Sequence, residues 1–560
     1  GDQFSKSVLV LIDGRSVYTP LFAGVFWGVQ DVLLADIDRI EVIRGPGGTI
    51  WGANAVNGII NIISKQTTDT HGALASIGGG TLDHVIAGAR LGGGNGETFD
   101  YRVQANGFSR GPEQHTDGTD FDKWHIGQAG FRMDWRRGRD SITFQGDAYT
   151  GQNGQSVQLA TYAPPAETTH YEPLDVSGED LVARWRRSLA HGSDIQIQAY
   201  YDRTYLLGPQ IGESRNTFDV DFIHHIATAH RQDVIWGLGA RVSPSHTIET
   251  VPTLTLTPQD ATEHIYSAFA QDEVTLINRH LWLTVGSKIE HNDYTDGELQ
   301  PSVRLLWAPT TTQSFWTAVS RAVRTPSRLE DGLQLTGFLL PTPPTYIRIV
   351  GDTAFEPERL LAYEAGYRQV ITPSVRADVS IFRNQFSGLE SFGAGSSLVE
   401  LTPRPAHLVL VLPYANGVDG HSQGVEISPQ WDVTPRLRIK GAYSYLRIDL
   451  ANRPGNTDVS AVATYEGSSP RHQILVQPQL DLPMGWELDA DFRYISALPA
   501  RQVDAYATVD VRVGWHVSKQ ITLSVSGRNL ADADHVEFAH DPGPAVAMRR
   551  TAYASVTWTR

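Results

Sequence analysis

Cysteine is absent from the 560 residues, which removes disulfide staples, thiolate nucleophiles and Cys-based zinc or iron-sulfur sites. Methionine is almost absent, at 3, so capture of a soft metal by thioether clusters is disfavoured too. No apolar run approaches the roughly 18 residues that a spanning helix needs; the runs are short pieces such as "HLVLVLPYA" from His407 to Ala415. A helical membrane protein is thereby excluded. A membrane β-barrel is not, because its strands alternate lipid-facing and lumen-facing side chains and keep average hydropathy unremarkable; mean hydropathy here is -0.25. A concentrated basic stripe is also lacking, and the net charge of -16 speaks against nucleic acid as a partner. Enzyme signatures are missing as well: there is no Walker loop, no G-x-S-x-G and no H-E-x-x-H. "GPGGTIWG" lacks the Lys-Ser or Lys-Thr that would hold a phosphate, and the adjacent carboxylates Glu330 and Asp331 fall in a long loop. The expectation is a non-enzyme with no cofactor and no resident metal.

What the chain has in plenty is glycine, tyrosine and tryptophan, at 52, 20 and 13, arranged from about residue 72 as segments of period-two alternation. Val375, Ala377, Val379 and Ile381 fall on one side of a strand and Arg376, Asp378 and Ser380 on the other; Val509, Val511, Val513 and Trp515 oppose Asp510 and Arg512 in the same way. About 22 such segments follow one another, each long enough for the ~9–11 residues of a tilted membrane strand. Connections alternate between tight ones ("APTTTQS", "VITPSV") and long ones, the longest running from Arg324 to Leu360. That asymmetry is the short-periplasmic, long-extracellular pattern of an outer-membrane barrel. Tryptophans between Trp135 and Trp558 fall near strand ends, as interfacial rings would, although ring-bearing residues favour strands in any case. A soluble propeller would repeat a blade every ~40–50 residues, and no such period is present. "DFIHHIATAH" puts His224 and His225 on opposite strand faces with His230 beyond; scattered solvated histidines describe it better than a metal site.

The first 71 residues break the rhythm. "SVLVLIDGRSVY" reads as a buried strand ending in an Asp-Gly turn, "ADIDRIEVIRGP" as a second strand and "GIINIISK" as a third, with a glycine-rich loop between the last two. "LVLIDGRSVYTPLFAGVFWGVQDV", "DIDRIEVIRGPGGTIWGANAVNGIINIISK", "SRAVRTPS", "FEPERLLAYEAGYR", "GHSQGVEI" and "VSGRNLAD" occur in that order along the chain. Together they resemble the TonB-dependent outer-membrane receptors, and the likeness covers nearly the whole length. It implies an all-β fold: a transmembrane antiparallel barrel of about 22 strands over residues 72–560, with a small α+β plug, residues 1–71, inside its lumen.

The resemblance further implies residence in the outer membrane of a Gram-negative bacterium, in contact with its lipid. It implies active import of a scarce, bulky nutrient, most often a ferric siderophore or similar metal chelate, driven by the TonB inner-membrane energising complex through an N-terminal box. That box does not occur in the sequence, and the opening within an apolar run leads to the expectation that the natural N-terminus lies upstream. In the family, plug arginines meet wall glutamates; by motif these are Arg44, Glu364 and Glu426. For the plug apex, Tyr18, Phe22 and Trp27 are the candidate substrate-binding residues, whose ring faces suit stacking on an aromatic chelate or a large ring compound, with packing of Phe22 and Trp27 in the plug core as the equal alternative. A non-transporting barrel that anchors a surface assembly, with a surface protein partner, is the alternative function.

Overall fold

The computed structural model describes residues 6–227, 231–539 and 543–560. Twenty-two antiparallel strands form a closed wall, beginning with Gly72–Gly80 and ending with Thr551–Thr559. These two strands pair from Tyr553↔Gly80 to Thr559↔Leu74, so the cylinder has no free edge. Alternation accounts for the wall's two faces. Ile381, Leu299, Ile289 and Phe218 point outward and are each more than half exposed, while their neighbours in sequence point into the lumen.

Tight turns mark one end of the cylinder. Trp486 and Trp515 stack at 5.0 Å beside the 483–485 turn, and Trp307, Phe315 and Tyr367 stack in series at 5.2 and 4.5 Å beside the 311–312 turn. Such a ring of amphipathic side chains fits a membrane-water boundary.

At the other end the long connections have structure of their own, which alternation alone did not reveal. The segment after Arg324 folds into a short helix, Arg328–Gly332, and a hairpin, Leu333–Pro341 with Pro344–Val350. Leu254–Leu256 pairs with that hairpin on one side. On the other, the start of the 28-residue strand His407–Thr434 runs parallel to it and Ser396–Glu400 closes the set. Their apolar side chains Leu254, Leu256, Leu333, Leu335 and Ile349 pack on one another and on Leu21 and Phe22 of the plug.

Within the cylinder sits a four-stranded sheet in the order Arg15–Ser16, Val8–Ile12, Gly58–Ser64, Ile37–Arg44. Val8–Ile12 runs parallel to Gly58–Ser64, and the buried Leu9, Leu11, Ala55 and Ile59 form its apolar heart. Asp13 and Gly14 take φ of 49° and 83°. Two consecutive left-handed residues are what a tight type I′ hairpin demands, and Asp-Gly supplies them.

Candidate functional site

Ion pairs and hydrogen bonds join plug and wall at several points, between apolar contacts such as Val29 against Phe108, Ile126 and Val176 and Val56 against Ala322, Leu360 and Ala362. At the turn between the first two plug strands, Arg15 reaches two wall aspartates, at 3.1 Å to Asp180 and 2.5 Å to Asp202. Burial alone would lower the Arg15 guanidinium, but Asp180, Asp202 and Asp147 more than offset it and drive it above its ordinary value. Asp180 faces Asp202 directly across one strand pair and Asp147 across the next. Three carboxylates in a row on one face repel one another unless a cation is inserted among them, and Arg15 is that cation.

Asp13, beside Arg15, accepts from the Ser64 amide at 2.9 Å, the Ser64 hydroxyl at 2.7 Å and the Gln145 amide at 2.9 Å. Burial would raise its carboxyl; these donors and Arg132 outweigh that and hold it below the usual carboxylate range. Further round, the buried Asp36 pairs with the wall residue Arg90 and lies 3.6 Å from Arg102. Arg44 donates to Glu426. Glu364 lies on the neighbouring arc against Gly45, whose φ of 76° lets the backbone turn past that carboxylate.

A fifth contact joins plug, wall and outer loops. The Lys6 ammonium lies 2.7 Å from Glu390 and 3.8 Å from Glu330, while Arg324 reaches Glu330 and Glu358, each at 2.8 Å. Glu330 belongs to the capping box of the 328–332 helix, accepting from both the amide and the hydroxyl of Ser327. Burial acts to raise its carboxyl, but Arg324 and Lys6 together bring it down to about 2. An acid with a depressed folded value stabilises the fold above its ordinary value of 4.5 and loses that contribution as pH falls through about 2. The protection factors of the 328–332 amides against hydrogen exchange, taken relative to the intrinsic rate at each pH, should therefore be high and flat down to pH about 4.5 and fall below it. In E330Q protection should be low already at neutral pH, because Arg324 is left short of one partner at a cost of about 3–5 kcal/mol.

The three apex candidates lie in different surroundings. Tyr18 packs within the plug core and donates its hydroxyl to the Lys6 carbonyl at 3.0 Å. Phe22, 8% exposed, is held with Leu21 among Leu254, Leu256 and Leu333 of the outer loops. The amides of Arg328 and Leu329 donate to the Pro20 and Leu21 carbonyls there, each at 3.0 Å. Trp27 is 42% exposed, in a single 3-10 turn. Tyr18 also lines a small cavity of about 80 Å³ between plug and wall, bounded by Tyr200, Arg215, Arg241, Glu263 and Tyr294 among others. His225 lies between Asp194 and Asp233, and Trp236 donates to His224; His230 lies outside the described residues. Among the described residues no group of three or more acidic, His or Cys side chains is arranged to hold a metal ion.

Lys6, Arg15 and Asp36 escape a reading of the sequence because a lone charge in a turn or a two-residue strand looks locally solvated. The row Asp147, Asp180 and Asp202 would have pointed to an inserted cation, but only once the strand register was known.

Comparisons with known proteins agree with this architecture. The family model for the TonB-dependent receptor plug domain matches residues 2–59, and that described as TonB dependent receptor-like, beta-barrel, matches residues 66–530. The ferric enterobactin receptor of Pseudomonas aeruginosa is 23% identical over 536 residues, spanning 80% of this chain and 67% of the relative. The vitamin B12 transporter BtuB of Vibrio cholerae is 39% identical over 83 residues, 14% of this chain and 13% of the relative. Among solved structures, the siderophore receptor PirA of Acinetobacter baumannii superposes with a TM-score of 0.78 at 15% identity, covering 99% of this chain and 91% of that one. At that identity the likeness is one of fold.

Proposed function

Since the chain belongs to the TonB-dependent receptors, Gram-negative outer-membrane barrels with a plug in the lumen, we propose that it imports a bulky metal chelate, a ferric siderophore first of all. The observation that carries this reading is the set of ion pairs made by Lys6, Arg15, Asp36 and Arg44 that tie the plug to the wall. A stopper seated by ion pairs and hydrogen bonds exchanges those contacts for water when it moves, whereas a dry apolar seam of the same size would stay shut. The chain's likeness to a ferric enterobactin receptor over four-fifths of its length supports iron chelates as the cargo. The relatives named above are receptors and transporters, which favours import over a purely anchoring role.

In this reading the chelate is captured at the long-loop mouth, and Trp27 offers the open aromatic face against which it rests. Arg44 paired with Glu426, Glu364 against Gly45, and the Arg15, Asp36 and Lys6 contacts hold the plug until the TonB complex pulls on the N-terminal side. A cell lacking the protein should then fail to grow on one ferric chelate as sole iron source while growing normally on free iron. A screen over catecholate, hydroxamate and carboxylate chelates checks this, with cobalamin as the comparison cargo; normal growth on every chelate would refute it.

A further inference from the structure

On the outer surface of the wall, the row of outward-facing residues at one height runs Val319, Tyr363, Arg383, Gln423, Arg447, each directly opposite the next across a strand pair. The outward row beneath is Thr317, Ala365, Ile381, Val425, Tyr445 and His472. Ile381 is 56% exposed, as a lipid-facing side chain should be. The row above contains Arg321, Gln385, His421 and Asp449. Apolar and ring-bearing residues thus give way to arginine and other polar side chains, with Leu361 the apolar member of the upper row, within two steps along the strands at the end of the wall away from the tight turns. That succession marks the level of lipid headgroups.

At this level Arg383 is exposed and makes no hydrogen bond or ion pair with any described residue. Arg447, two strands away, is paired with Asp449 at 2.9 Å, and His421 lies 3.7 Å from the same carboxylate. Adjacent strands are roughly 4.8 Å apart, so the two guanidinium groups rise from backbones about 10 Å apart. An arginine facing lipid just above an apolar band needs an anion. A guanidinium suits a phosphate because its planar donor fork matches two phosphate oxygens.

We propose that the outward surface centred on Arg383 and Arg447 binds the phosphate-bearing headgroup of an anionic lipid in the outer leaflet. Arg383 grips one phosphate oxygen pair, Arg447 approaches from the far side of Gln423, and the acyl chains lie down along Ile381, Val425 and Tyr445. The occupant is a lipid and not a protein, because the rows below are at the height of the hydrocarbon band and only an amphiphile satisfies both levels at once.

Native mass spectrometry of the intact protein in neutral detergent tests this, with diphosphorylated lipid A titrated in and phosphatidylcholine as the zwitterionic comparison. The wild-type protein should retain lipid A adducts that phosphatidylcholine does not displace. R383Q/R447Q should bind lipid A about tenfold more weakly or worse. R203Q, which removes an exposed arginine from a different arc of the wall, should bind as the wild type does. Both variants lie outside the core and should keep the wild-type melting profile, so a loss of binding reports the site. Equal lipid A retention by R383Q/R447Q would overturn the proposal. So would equal retention of phosphatidylcholine, or displacement of the lipid by millimolar inorganic phosphate, which would mark a site for the free anion.

Discussion

Replacing Arg15 by alanine is expected to turn a silent barrel into a conducting one. Arg15 is 9% exposed and faces Asp180 and Asp202, with Asp147 next in the same row. Removing the cation leaves carboxylates crowded on adjacent strands and one side of the plug repelled from the wall. Breaking a buried pair by deleting one partner costs about 3–5 kcal/mol, a large part of what holds a domain of this size. A barrel of 22 strands is wide enough to pass small ions once its plug is displaced. Planar-bilayer recordings should therefore show little or no current for the wild type and sustained openings for R15A, with R15K between the two because lysine restores the charge but not the fork. Cells producing R15A should also become sensitive to large antibiotics that the outer membrane normally excludes. Wild-type silence in R15A would mean that the plug is held by something other than this cluster.

The wall was legible in the sequence because a period of two is the most direct trace that a half-lipid, half-water environment leaves. The plug strands were legible from the Asp-Gly turn and from short apolar runs bounded by Gly and Pro. The outer sheet was not. Leu333–Pro341 and Pro344–Val350 flank a proline-rich turn and read as loop, and their partners, Leu254–Leu256 and the start of His407–Thr434, are far away in sequence. Arg44 and Glu426 could be put together only by motif resemblance, since no periodicity pairs residues 382 positions apart. Arg15, Asp36 and Lys6 stayed hidden for a related reason: each acquires its meaning from a carboxylate or guanidinium that the closed wall brings to it. Glu330, read as an idle loop carboxylate, is 1% exposed and ties loop to plug.

If the plug must move for cargo to pass, fixing it to the wall should stop transport outright without touching capture. A Cβ built on Gly48, in the plug's short helix, lies 3.4 Å from the Gln300 Cβ on the wall strand Glu298–Thr310, next to the ~3.5–4.5 Å separation of bonded cysteines. Gln300 is fully buried and its amide has no hydrogen-bond partner among the described residues, so its removal sacrifices little. Because these 560 residues contain no cysteine, the two introduced in G48C/Q300C have only each other as partners among them. The measurement is uptake of radiolabelled ferric chelate by cells producing G48C/Q300C, oxidised and then reduced, with surface binding followed in the same cells and formation of the bond checked by gel mobility. The account predicts uptake at background while the bond is intact, full recovery on reduction, and unchanged binding throughout. Undiminished uptake through the oxidised, fully bonded protein would contradict it.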